Sequence, residues 1–146
     1  SSDVCSSDLA EPMRYLLDTN ICIYLMHHQP PEVVARFRQL PAGDAAISAV
    51  TYAELRHGVE RCEASEQDRA ANLLARFTRL VPVLALDQRA AEHFGNLSAA
   101  VRERRRDVLD RLIAAHARSV NAVLVTNNEA DFRNVPGLAV ENWVSG

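Results

Sequence analysis

The sequence predicts an α/β fold in which a short parallel sheet lies between two layers of helices. Short apolar stretches recur along the chain, and longer segments with apolar residues at helical spacing separate them. Strands and helices that alternate in this way form βαβ units, whose parallel sheet is covered on both faces. With 146 residues, 48% of them apolar, the chain is long enough for one domain with a sizeable core.

The elements follow from the pattern of apolar residues and breakers. Residues 14–18 read as a buried strand, and Thr19 or Asn20 can cap the helix that follows over 21–26. The proline pair at 30–31 breaks the chain. The later elements are then expected to be a helix over 33–40, a strand over 45–48, helices over 49–60 and 66–80, a strand over 81–86, helices over 88–105 and 108–119, and strands over 122–126 and 138–141.

The polar first dozen residues differ from the patterned chain and resemble a translated sequencing adapter. We therefore expect residues 1–12 to be a non-native leader and residues 13–144 to form the single domain. No apolar stretch approaches the roughly 20 residues of a membrane helix and no export signal is visible, so we expect a cytoplasmic protein without membrane contact. The three cysteines show no disulfide or zinc spacing, and the net charge of −3 predicts no particular partner.

Asp18 ends the first predicted strand. In parallel sheets, ligands bind beyond the carboxyl ends of the strands, near the point where strand order reverses. Asp18 is therefore a candidate site residue, although a role as helix N-cap explains it equally well.

Two further acids are predicted to lie on helices near the same sheet edge. Ser48 is a good cap for the helix over 49–60, which places Glu54 inside that helix; the alternative is a capping box of Thr51 and Glu54. Asp110 borders the apolar side of its helix, and the alternative is an acid favoured by the helix dipole. His116 on the same helix is interpreted as a core histidine.

Polar residues also follow the strand over 122–126. Thr126, Asn127, Asn128 and Asp131 offer oxygen atoms beside Asp18, although a plain turn would contain the same residue types.

Taken together, three carboxylates converging on one crevice would repel each other unless a cation lay between them. Hard oxygen ligands of this kind suit Mg²⁺ or Mn²⁺, and such ions support the hydrolysis of phosphodiesters. The predicted chemistry is metal-dependent phosphodiester hydrolysis.

Four segments in order carry a family resemblance: MRYLLDTNICIYL, AISAVTYAELRHGVE, DRLIAAHA and LVTNNEADFRNVPGLAVENW. They resemble PIN domains, specifically the VapC ribonuclease toxins of bacterial toxin–antitoxin pairs. The resemblance implies a PIN-like α/β sandwich, Mg²⁺-dependent cleavage of structured RNA such as tRNA, a homodimer and an antitoxin that blocks the site. It assigns Asp18, Glu54 and Asp110 to the three acids, and Thr126, Asn128 and Asp131 to the variable fourth position.

Two departures from the family pattern leave alternatives open. The segment RERRRDVLD over 102–110 is shorter than in many relatives, so Asp107 could replace Asp110 as a ligand. Asn128 stands where many relatives have Asp. The alternative function is therefore a catalytically impaired PIN-fold module that only pairs with an antitoxin. A metal-dependent phosphatase is disfavoured because Asn20, not an acid, follows Asp18 by two residues.

Overall fold

The computed structural model describes residues 13–100 and 108–144. Strands and helices alternate through this part of the chain. The strands are β1 (Tyr15–Leu17), β2 (Ala45–Ser48), β3 (Val83–Leu84), β4 (Val123–Val125) and β5 (Ala139–Glu141). The helices are α1 (Thr19–Met26), α2 (Pro31–Arg38), α3 (Ala49–Glu60), α4 (Ala64–Leu80), α5 (Gln88–Ala100), α6 (Val108–Ser119) and α7 (Glu129–Phe132).

All five of these strands are parallel, in the order β3-β2-β1-β4-β5. The central strand β1 pairs with β2 on one side and with β4 on the other, so that Tyr15 lies between Ala45 and Val123. Strand order reverses at β1, which places the topological switch point at the carboxyl ends of β1 and β4.

Two apolar clusters show that helices cover both faces of the sheet. Tyr15 and Leu17 belong to a cluster with residues of α1 to α4, whereas Leu16 packs with residues of α5 and α6. The alternation follows from the two-residue period of a strand. This three-layer arrangement confirms the predicted α/β sandwich with a parallel sheet.

Capping side chains fix the starts of the helices that matter for the site. Oγ of Ser48 accepts a hydrogen bond from Val50 N at 3.1 Å and starts α3, as predicted. Asp18 caps α1, with Oδ1 accepting from Ile21 N at 3.0 Å. The prediction that Thr19 or Asn20 caps this helix was wrong, because the helix begins at Thr19 itself.

Other boundaries differ from prediction in physically simple ways. Strand β3, at the edge of the sheet, has two residues instead of six. Pro82 has no N–H to donate to the sheet, which agrees with the start of the strand at Val83. The helix expected over 88–105 is seen to Ala100, and its last residues lie outside the described part. The short helix α7 was not predicted. Within the described segments, no helix is both long and apolar enough to cross a membrane.

Candidate active site

Asp18 lies at the switch point, and its backbone is locked into both neighbouring elements. Its N–H donates to the carbonyl of Val125 at 3.0 Å, and its carbonyl accepts from Cys22 N at 3.1 Å. The residue is 8% exposed. The carboxylate is therefore held at the carboxyl edge of β1 by the neighbouring strand β4 and by helix α1.

Burial raises the pKa of Asp18 above its ordinary value, and the negative charge of Glu54 raises it further. Hydrogen bonds to the carboxylate from the Thr126 side chain and from the backbone of Ile21 and Asn20 act in the opposite direction. Because removal from water is the largest of these effects, the ionised carboxylate of Asp18 lacks full compensation from its surroundings. A nearby cation would supply it.

Glu54 is held towards this site by a residue of another helix. Oγ1 of Thr19, the first residue of α1, donates a hydrogen bond to Oε1 of Glu54 in α3. The position of Glu54 follows from the start of its helix at Ala49, which excludes the capping-box alternative with Thr51.

The three acids line one cavity of about 160 Å³. Asp18 contributes from the end of β1, Glu54 from α3 and Asp110 from the first turn of α6. The remaining lining residues are Thr19, Asn20, Ile113, Asn128 and Phe132. The structure thus brings together three acids that are far apart in the sequence.

The polar residues after β4 take different positions: one contacts Asp18, one lines the acid cavity and one lies outside it. Thr126 is fully buried, hydrogen-bonds Asp18 and accepts from Asn128 N at 2.9 Å. Asn128 lines the cavity and donates from Nδ2 to Asp131 at 2.5 Å. Asp131 is exposed and lines a neighbouring cavity instead. Among the described residues, these three therefore form a chain that runs outward from the first acid.

The donor set matches the chemistry of a hard divalent cation. Carboxylate, amide and hydroxyl oxygens surround the cavity, and none of the described residues that line it carries a sulfur or imidazole ligand. Over residues 13–100 and 108–144, however, no three His, Cys, Asp or Glu side chains form a group that could hold a metal ion as they stand. The three acids therefore line one cavity without forming a complete ion-binding site.

A second cavity of about 220 Å³ adjoins the first, since Asp110 and Phe132 line both. Its wall includes Arg111 and Asn134, together with apolar side chains. Arg111 lies over the ring of Phe94, with Cζ 5.9 Å from the ring centroid. The pair of cavities forms an extended depression along α6 and the segment after β4.

Asp107, the predicted substitute for Asp110, lies outside the described residues, as do the arginines at 102, 104, 105 and 106. His116 is a buried core residue, as predicted. Asp87 caps α5, accepting from Ala90 N at 3.0 Å. The sequence interpretation missed Thr19 as a partner of Glu54. In the sequence, Thr19 follows an acid at a predicted strand end. That position suggested only a helix N-cap.

Comparison with known proteins agrees with this geometry. A family model described as PIN domain matches residues 15–138. The chain belongs to the PIN-domain family. Ribonuclease VapC2 from Haemophilus influenzae is 39% identical to it over 134 residues, which cover 90% of this chain and 99% of the relative. The tRNA(fMet)-specific endonuclease VapC from Shigella flexneri is 38% identical over 133 residues, covering 90% and 98%.

Solved structures support the same assignment. A DNA-bound VapBC from Salmonella typhimurium matches with a TM-score of 0.79 and 33% identity, covering 90% of this chain and 98% of that chain. VapBC-1 from nontypeable Haemophilus influenzae matches with a TM-score of 0.77 and 31% identity, covering 91% and 100%. Identity at this level over nearly complete chains places this PIN domain in the VapC family.

Proposed function

We propose that this PIN domain is a metal-dependent endoribonuclease and the toxin of a toxin–antitoxin pair. The observation that carries the proposal is that Asp18, Glu54 and Asp110 line one cavity at the switch point of the sheet. The names of its VapC relatives, ribonuclease and endonuclease, support the same reaction class. Mg²⁺ is the proposed cofactor, with Mn²⁺ as a substitute.

Each acid has a proposed task that follows from its position. Asp18 and Asp110 bind the cation from opposite elements, and Glu54 binds it or orients the attacking water. The hydroxyl of Thr19 fixes the rotamer of Glu54 for this purpose. Thr126, Asn128 and Asp131 support the carboxylates from outside the ligand sphere. Asp107 remains a proposed substitute for Asp110.

A divalent cation held there would stabilise negative charge on the scissile phosphate and promote deprotonation of water. Asp18 is suited to hold it because burial deprives the ionised carboxylate of water and so raises its pKa. A cation beside the carboxylate would replace the lost solvation. Binding would relieve the repulsion between Asp18 and Glu54.

We propose structured RNA such as tRNA as the substrate, in line with the name of the Shigella flexneri relative. The cavity of about 220 Å³ beside Asp110 offers room for a nucleotide next to the scissile phosphate. Asn134 and Arg111 present hydrogen-bonding groups in its wall, and apolar side chains there can contact a base. The RNA is a cytoplasmic molecule, so we place the activity in the cytoplasm.

We propose that the chain binds a cognate antitoxin, since the matching structures are described as VapBC or toxin–antitoxin complexes. We also propose that it forms a homodimer, as the family resemblance implies. A largely apolar groove of about 450 Å³ between α1, α3 and α4 is the proposed antitoxin surface. Glu54 lines both this groove and the acid cavity, so an occupant of the groove would lie next to the site. Ile23 lines this groove and is 40% exposed, so an apolar side chain of a partner could bury it.

The deciding experiment compares cleavage of total RNA in Mg²⁺ by the wild type, Asp18→Asn and Asp87→Asn. Asp87 caps α5 as Asp18 caps α1, so it controls for the loss of a capping charge. We expect the wild type and Asp87→Asn to cleave and Asp18→Asn to lose activity by at least about a hundredfold. Equal cleavage by all three would contradict the site assignment.

The shortened segment over 102–110 favours one alternative, a catalytically impaired module that retains antitoxin binding. Calorimetry with Mg²⁺ separates the two functions. A wild type that binds antitoxin but neither Mg²⁺ nor RNA would support the alternative.

A further inference from the structure

A buried contact between Ser48 and His116 lies between the two helices that carry Glu54 and Asp110. Nδ1 of His116 is 2.7 Å from Oγ of Ser48. His116 is 2% exposed and Ser48 is fully buried. Ser48 caps α3 and His116 belongs to α6, so the contact joins the start of one acid-bearing helix to the last turn of the other.

Burial favours a neutral ring in this contact, since it lowers the pKa of His116, although the charge of Asp87 acts in the opposite direction. Oγ of Ser48 already accepts from Val50 N at 3.1 Å. A hydroxyl has one proton and two lone pairs, so Ser48 can either donate to Nδ1 of His116 or accept from it, according to the tautomer of the ring.

The contact is close enough to the acids to affect their separation. Glu54 lies six residues after Ser48, and Asp110 lies six residues before His116. With a rise of 1.5 Å per residue, each acid is roughly 9 Å along its helix from the contact. A small rotation of either helix at this point therefore moves one acid relative to the other.

We propose that the Ser48–His116 hydrogen bond is a positioning contact, which fixes α3 against α6 and so sets the separation of Glu54 and Asp110. The proposal rests on the proposed function, because it takes these two acids as groups that hold the cation and the attacking water. His116 acts through Ser48, so it is a positioning residue and not a catalytic one.

The test compares two polar replacements of the ring. His116→Asn puts its amide where Nδ1 lies and keeps a partner for Ser48, whereas His116→Gln puts its amide near the position of Nε2, away from Ser48. We measure kcat and KM for RNA cleavage, and Mg²⁺ affinity by calorimetry without RNA. We expect kcat of His116→Asn within about threefold of the wild type. For His116→Gln we expect a loss of about tenfold or more in kcat, weaker Mg²⁺ binding and little change in KM.

Ser119→Ala is the matched control. It removes another buried hydrogen bond of α6, from Oγ of Ser119 to the carbonyl of His116 at 2.8 Å. We expect it to lower the melting temperature while kcat and Mg²⁺ affinity stay at the wild-type level. If His116→Gln does not fold, His116→Leu takes its place, because it removes the same hydrogen bond and leaves the Ser48 cap of α3 intact.

Equal kcat and equal Mg²⁺ affinity for the two His116 variants would overturn the positioning role, as would a Ser119→Ala variant that matches His116→Gln. A wild type that binds Mg²⁺ without cleaving RNA would remove the proposed function alone, and the Mg²⁺ affinities would then decide the positioning role. A wild type that binds no Mg²⁺ would overturn both.

Discussion

The hydroxyl of Thr19 donates a hydrogen bond to the carboxylate of Glu54 and thereby joins the first turn of α1 to the middle of α3. Thr19 directly follows Asp18, the buried acid at the end of β1. One short segment therefore supplies a carboxylate to the cavity and also holds the second carboxylate in place.

Replacing Thr19 by Val keeps the shape of the side chain and removes this hydrogen bond. We expect Thr19→Val to lower kcat by about tenfold, because Glu54 then samples rotamers that point away from the cavity. Thr19→Ser keeps the hydroxyl and should retain most of the activity. Initial rates of RNA cleavage at saturating Mg²⁺ check this, and equal rates for the two variants would contradict it.

Asp18→Asn should stabilise the metal-free protein while it abolishes cleavage. The change removes a buried charge that is repelled by Glu54, and the amide oxygen can still cap α1. We expect the melting temperature without metal to rise by about 2–4 °C. In the presence of Mg²⁺ the wild type should gain stability and the variant should not. Scanning calorimetry with and without Mg²⁺ measures both effects.

The stability difference between Asp18→Asn and the wild type should depend on pH. Because the pKa of Asp18 is raised in the folded state, the folded protein binds this proton more tightly than the unfolded chain. The ionised group therefore costs stability at neutral pH, and this cost disappears as the pH falls through the raised pKa towards the ordinary value of 3.8. The gap in melting temperature should be widest near about pH 7 and close towards about pH 4. A gap that grows on acidification would contradict the assignment.

Two fully buried threonines offer a matched test of hydrogen bonding in the core. Among the described residues, Oγ1 of Thr51 has no hydrogen-bond partner, whereas the hydroxyl of Thr126 bonds both Asp18 and Asn128 N. Thr51→Val should therefore raise the free energy of unfolding by about 1 kcal/mol, and Thr126→Val should lower it by about 1–3 kcal/mol. Urea denaturation of the two variants checks both signs.

The apolar groove makes a prediction about the antitoxin. Ile23→Ser removes an exposed apolar side chain from the groove and should weaken antitoxin binding by about tenfold, with little effect on folding. Leu80 is also exposed, at 67%, but lies outside the groove, so Leu80→Ser is the control. Titration calorimetry with the antitoxin measures both. Equal affinities for the two variants would place the antitoxin elsewhere.

The fold was largely predictable because its elements have strong local signals. Strand β2 and helices α3 and α6 have the predicted boundaries, since a capping serine and clear helical periodicity define them. Helix α7 is too short for its periodicity to show in the sequence. Strand β3 starts only after Pro82 and lies at the edge of the sheet, a position that a single sequence does not reveal.

The candidate site was predictable only in part. Asp18 and the residues after β4 could be placed together because parallel strands end at a common edge. Glu54 and Asp110 were placed from the Ser48 cap of one helix and the apolar side of the other. The partners of these acids could not be found in the same way. Thr19 contacts Glu54 across 35 positions, and Ser48 contacts His116 across 68. Such contacts depend on how the helices pack, whereas secondary-structure propensities describe only residues close together in the sequence.

The place of β1 in the sheet also bears on how a cell can make this protein. The ribosome releases the segment carrying Asp18 more than 100 residues before its neighbouring strand β4, in which Val123 pairs with Tyr15. Because Asp18 contacts Thr126 and the carbonyl of Val125, the candidate site cannot assemble on the nascent chain until the segment through Thr126 has emerged. Synthesis of the first acid and completion of its surroundings are therefore separated in time.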